Sequence, residues 1–142
     1  MGVASLCLLA SWGFVPSAGA EGPQTYQVIV HEKSAASSVS RTLLADIFLK
    51  KVTRWEGGER AVPVDLRPSS AVRQAFSVDV LKRPVGAVRN YWTQRIFAGR
   101  ELPPPELESD EAVVRFVTNN PGAVGYVSAA AALGATKRIE VR

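Results

Sequence analysis

Residues 62–76, VPVDLRPSSAVRQAF, hold the change of pattern on which the fold turns. Val62 to Leu66 alternates as a strand does, sending successive side chains to opposite faces. Ser69 or Ser70 then offers a hydroxyl to cap a helix, and Val72, Ala75, Phe76 and Val80 line one side of it at helical spacing. A strand that passes through a short polar turn into a capped helix is the building unit of an α/β domain. Pro63 has no N–H to give a ladder, which puts this strand at an edge or in an irregular pairing.

The same grammar extends to both sides. Tyr26 to Val30 (YQVIV) reads as a buried opening strand and His31 to Ser38 as a Ser-rich loop, after which Ser40 caps a helix carrying Leu43, Leu44, Ile47 and Phe48 on one face and ending near Leu49 or Lys50. A connector with Trp55 and the turn-forming Gly57-Gly58 leads back to residue 62. Beyond residue 76, Pro84 fits the first turn of a helix with Val88, Tyr91, Trp92 and Ile96 as its buried stripe and Gly99 as its stop. Pro103-Pro104-Pro105 forms an extended spacer. Ser109 caps the next helix, with Asp110 and Glu111 complementing its dipole and Val113, Phe116 and Val117 facing inward. Asn119 to Gly122 ends that helix, Ala123 to Val127 (AVGYV) forms a strand, Ser128 to Leu133 a small helical turn, and Arg138 to Val141 a last strand. Alternating strands and helices predict a mixed, mostly parallel sheet flanked by helices.

A chain of 142 residues with 46% hydrophobic content has room for one core. Met1 to Ala20 contains no charged side chain, is largely apolar from Val3 to Val15, and closes on Ala18-Gly19-Ala20, so residues 1–20 are expected to be a cleaved export signal and residues 21–142 the domain. The apolar run falls short of a bilayer span. Cys7 lies in that segment, which would leave the exported chain without a thiol for disulfides, nucleophilic attack or metal binding, and its place within the apolar run does not suit lipidation. The formal charge of +4 favours anions without choosing among them. His31 is the single histidine and has no acidic or thiol partner nearby in sequence, so a metal site and a catalytic triad both lack support and His31 is expected in a loop. No phosphate-cradling glycine motif and no glycosidase-like pair of acids is present, and enzymatic activity and a cofactor are not expected.

Three ordered segments carry a family resemblance. Ile47-Phe48-Leu49-Lys50-Lys51 with Trp55 and Gly57-Gly58 resembles the IF-x-G-K-x-x-x-W…G segment of the solute-binding proteins of phosphate ABC transporters. Arg67-Pro68-Ser69-Ser70-Ala71-Val72-Arg73-Gln74-Ala75-Phe76 is similar to that family's R-x-x-S-G-T-R-x-x-F ligand loop, and Asn120 to Val127 to its pGaIGYv segment. The match spans almost all of residues 21–142 but only about half of a normal member, which implies one lobe of a type II periplasmic-binding-protein-like fold. Lys50 and Ala71 stand where the family has Gly, and Val72 where it has Thr.

The resemblance implies an exported, periplasmic binder of phosphate or a similar oxyanion, partnered by an ABC permease. Its site would comprise Arg67, Ser69, Ser70, Ala71 and Arg73, with Asp65 before the loop and Tyr126 near an interlobe crease. Amide hydrogens at a helix start, a serine hydroxyl and two guanidiniums suit a tetrahedral anion. Equally, Ser70 caps the helix and both arginines are solvated. Asp65 either receives the proton of a hydrogen phosphate or, the favoured role, bonds loop backbone. Tyr126, Trp55 and Trp92 also read as core residues, Tyr126 with its hydroxyl at the surface. An alternative function is a ligand-free module docking to a membrane sensor or transporter, and a homodimer would supply a missing lobe. Nucleic-acid binding is disfavoured, because no stacking aromatic motif accompanies the cations.

Overall fold

The computed structural model describes Gly2 and residues 25–142, so the reading of residues 1–20 as an export signal, Cys7 included, falls outside the described residues but for Gly2. In chain order the elements are β1 (Tyr26–Val30), β2 (Ser38–Val39), α1 (Arg41–Phe48), β3 (Val62–Pro63), β4 (Asp65–Leu66), α2 (Ala71–Asp79), α3 (Val85–Phe97), β5 (Glu106–Leu107), α4 (Asp110–Asn119), β6 (Ala123–Ser128) and β7 (Lys137–Val141).

A five-stranded sheet of order β2-β7-β1-β6-β3 forms the centre, and β4 and β5 form a separate two-stranded ribbon. The sheet is mixed. Its two longest ladders, which flank β1 and align Val28 with Tyr126 on one side and with Ile139 on the other, are antiparallel, whereas the short edge pairings of β2 with β7 and β3 with β6 are parallel. All five residues of β1 are buried, as expected for a central strand covered on both faces.

The predicted strand 62–66 is broken in two: residues 62–64 bond to β6, with Pro63 at the sheet's open edge, and the chain changes partner at Asp65. Val62 N–H donates to Gly122 O and Val64 N–H to Val124 O, but Pro63 can donate nothing, and from Asp65 the chain turns to Pro105 O and Arg67 to Leu107 O. The chain therefore leaves the main sheet within five residues and carries Asp65 and the following turn onto the ribbon. Elsewhere, Ser38–Val39 pairs with β7 at the end of what reads as loop, Ser128 closes β6 and residues 129–133 form a turn and irregular backbone in place of the expected helical turn, and Ile96 is 49% exposed and not part of the buried stripe of α3.

Caps fall on the expected serines. The hydroxyls of Ser40, Ser70 and Ser109 accept from the amides of Leu43, Arg73 and Ala112. The core beneath α1 and α2 is aromatic: Phe76 stacks on Tyr126 with centroids 3.8 Å apart, and Phe48 and Tyr26 pack against the same pair. Trp55 and Trp92 are buried, as expected. Two glycines make β6 fit. Gly122 has φ +81° and a Cβ there would lie 2.1 Å from Arg60 O, while a Cβ at Gly125 would lie 2.7 Å from Val113 Cγ1 and 2.9 Å from Val64 Cγ1, where α4 closes on the sheet.

Candidate functional site

The ribbon strand β4 delivers the chain to the turn Arg67–Ser70, which opens α2. Ser70 N–H donates to Arg67 O at 3.0 Å and closes the turn. Ser70 Oγ takes the Arg73 amide at 3.3 Å, and Gln74 N–H reaches Ser70 O. The Ala71 and Val72 amides precede any helical carbonyl that could accept them, and among the described residues they meet no protein acceptor. Arg67, Ser69 and Ala71 are exposed. Arg67 Nη1 lies 3.3 Å from Glu108 Oε2, with both side chains more than half exposed, so the pair is weak and Arg67 is easily recruited.

Arg73 takes the other direction. As the third residue of α2 it shares a face with Phe76 and Ser77, three and four positions on, and all three are buried. Its side chain is 4% exposed; Nη1 donates to Leu66 O and lies 3.1 Å from Glu106 Oε2 and 3.4 Å from Asp65 Oδ1. Nε has no acceptor among the described residues. Asp65 Oδ1 also accepts from the Tyr126 hydroxyl, whose oxygen lies 3.4 Å from the Leu66 amide.

The seven residues singled out in the sequence thus separate into two layers. Arg67, Ser69, Ser70 and Ala71 form the surface corner, and Asp65, Arg73 and Tyr126 form a buried network beneath it. Asp65 binds side chains, not the loop backbone. Tyr126 is fully buried, hydroxyl included in the network, and is not at a surface. Burial pushes the Asp65 carboxyl up to about 6, overcoming the opposing pull of Arg73 and the Tyr126 hydrogen bond. The Tyr126 hydroxyl is held well above its ordinary range, first by burial and then by the Asp65 charge.

Sequence reasoning missed Glu106 and Glu108, which face Arg73 and Arg67 from β5 and just after it. Their signal was the alternating Glu106-Leu107-Glu108 that follows the three prolines. A cavity of about 160 Å³ beside the network is lined by Asp65, Arg73, Glu106, Arg89 and Thr93, with Trp92 and Pro104 among its apolar walls. A cavity of about 560 Å³ between the 33–40 loop and the Trp55 turn shares no residue with the α2 start. His31 is buried and its Nδ1 accepts from the Lys33 amide at 3.1 Å, so it organises a turn. Among the described residues no group of three metal-ligating side chains converges, and no helix is long and apolar enough to cross a membrane.

No family model and no curated protein matches the sequence. Solved structures do match. An ABC-type phosphate transport receptor from Vibrio cholerae superposes with a TM-score of 0.65 at 16% identity, over 82% of this chain and 46% of the receptor. PstS from Borrelia burgdorferi gives a TM-score of 0.61 at 14% identity, over 83% and 47%. A candidate phosphate ABC transporter substrate-binding protein from Clostridium perfringens, solved with bound phosphate, gives a TM-score of 0.60 at 19% identity, over 82% and 44%. The chain has the fold of these solute-binding proteins and spans less than half of their length.

Proposed function

We propose that this chain is an exported, non-catalytic binder of a tetrahedral oxyanion, phosphate first, and that it serves an ABC permease in the periplasm. The observation that carries the reading is the corner at the start of α2. There the Ala71 and Val72 amides meet no acceptor among the described residues, and the turn that precedes them carries the exposed Ser69 and the loosely held Arg67 guanidinium. Such a corner offers an anion backbone hydrogens at the positive end of a helix, together with a two-pronged cation. The fold shared with phosphate receptors agrees with this assignment. Asp65, Arg73 and Tyr126 act from below in this scheme, fixing the turn and not touching the ion.

Isothermal titration with phosphate tests the proposal. Heat is expected for the wild type and none for Arg67→Ala, while Glu108→Gln, which frees Arg67, should tighten binding. Absence of heat at millimolar phosphate would refute it. Light scattering with and without phosphate tests whether a second copy supplies the opposing wall.

One observation favours a second reading, a ligand-free module that docks to a membrane sensor or transporter. Glu108 already faces Arg67, the guanidinium that an anion would need, and Asp65 and Glu106 occupy Arg73 beneath it. Binding of a permease or sensor domain without any phosphate response would favour this reading.

A further inference from the structure

The distal end of α3 carries a second feature that the oxyanion reading does not use. Phe97 is 88% exposed, Leu102 66% and Ile96 49%, three large apolar side chains within seven residues. The turn that presents them is built, not frayed. Gly99 at φ +66° ends the helix, Gly99 N–H returns to Ile96 O at 3.0 Å and Arg100 N–H to Arg95 O at 2.9 Å, which is the paired hydrogen bonding of a Schellman stop. The apolar tip is therefore held out to solvent in advance of any partner.

The charge around it is one-sided. Residues 82–102 contain Lys82, Arg83, Arg89, Arg95 and Arg100 against Glu101 alone, a surplus of four that equals the formal charge of the whole chain, +4. None of these five cations lies in any ion pair among the described residues. Arg83 and Arg95 both lie over the Tyr91 ring, at 5.3 and 4.9 Å from its centroid, which gathers them on one flank of α3. Arg89 lines the cavity on the opposite flank, and Arg100 follows the tip.

We propose that the α3 tip, Ile96 to Leu102, is an interfacial anchor that inserts Phe97 and Leu102 among the headgroups of an anionic bilayer, with Arg100 on lipid phosphate. An apolar tip that carries within it Arg100, unpaired among the described residues, at the end of a segment with a cationic surplus, is complementary to a surface that is negative outside and apolar beneath. A protein groove of ordinary composition would not need that surplus. The proposal is independent of phosphate binding at α2.

Cosedimentation of the full chain with vesicles tests it. One set is phosphatidylcholine and the other equal parts phosphatidylcholine and phosphatidylglycerol. The wild type is expected to favour the anionic set, and added salt to weaken it. Arg100→Gln should weaken that association about fivefold. Phe97→Ser should weaken it by about tenfold or more. Both residues are exposed, so thermal melts of the variants should match the wild type. Met1 to Ala20 is identical in all variants, so differences between them report on α3 alone. Equal binding to both vesicle sets, or Phe97→Ser binding as the wild type does, would overturn the proposal. So would a concentration-dependent dimer that Phe97→Ser abolishes without any vesicle preference, since the tip would then be covered by a second copy.

Discussion

Replacing Arg73 with methionine keeps much of the stem's packing but removes the guanidinium 3.4 Å from Asp65 Oδ1. If Asp65 stayed ionised, it would be a buried charge with one hydroxyl donor, and breaking a buried pair in this way costs about 3–5 kcal/mol. The carboxyl has a milder outcome open to it, which is to take a proton. It already titrates at about 6 with Arg73 present, and neutralising it near pH 7.5 costs about 2 kcal/mol. Near pH 5 it is protonated in both proteins, and the loss reduces to the bond to Leu66 O and the contact with Glu106, about 1–2 kcal/mol. Arg73→Met should therefore destabilise by about 3–4 kcal/mol near pH 7.5 and by about half of that near pH 5. Adding Asp65→Asn should recover at least about 1 kcal/mol at the higher pH, because the two residues act as one unit. Urea unfolding followed by tryptophan fluorescence and circular dichroism measures both. A loss that is the same at the two pH values, or two single losses that simply add, would refute the coupled network.

Other consequences are separable. The Asp65 carboxyl is raised from 3.8 to about 6 in the fold, so the folded state holds that proton more tightly and the associated stability is fully present below about 3.8. That stability, roughly 3 kcal/mol from this group, is lost as pH rises through 6, and urea midpoints at pH 4.5 and 7.5 should show the decline. Gly122→Ala forces a Cβ to 2.1 Å from Arg60 O at a positive φ, and should cost more than about 3 kcal/mol or prevent folding, read by soluble yield and thermal melt. Lys50 sits at φ +53°, just past Leu49, the C-cap of α1, so Lys50→Gly should stabilise by about 1 kcal/mol, with a raised melting temperature as the check.

Lys50 also shows what the resemblance encodes. Lys50, which stands where the resembled motif has glycine, lies in the left-handed region that glycine favours. Likewise the two glycines of the Pro121 to Val127 segment have separate reasons, a turn at Gly122 and a close helix approach at Gly125.

The chain's own pattern determined the elements that rest on local physics: β1 as an unbroken apolar run, and α1, α2 and α4 from serine caps with apolar residues at helical spacing. It also carried the likeness to phosphate receptors, because turn and capping residues stand at fixed offsets. Only the tertiary structure decided which strands pair, that the chain switches from the main sheet to the ribbon at Asp65, and that Arg73 and Tyr126 meet Asp65 in the interior. The reason is range. Capping and periodicity act over four residues, whereas the partners of Arg73 and Tyr126 lie as far as 33 and 61 positions away, and their meeting depends on how helices and sheet close on one another.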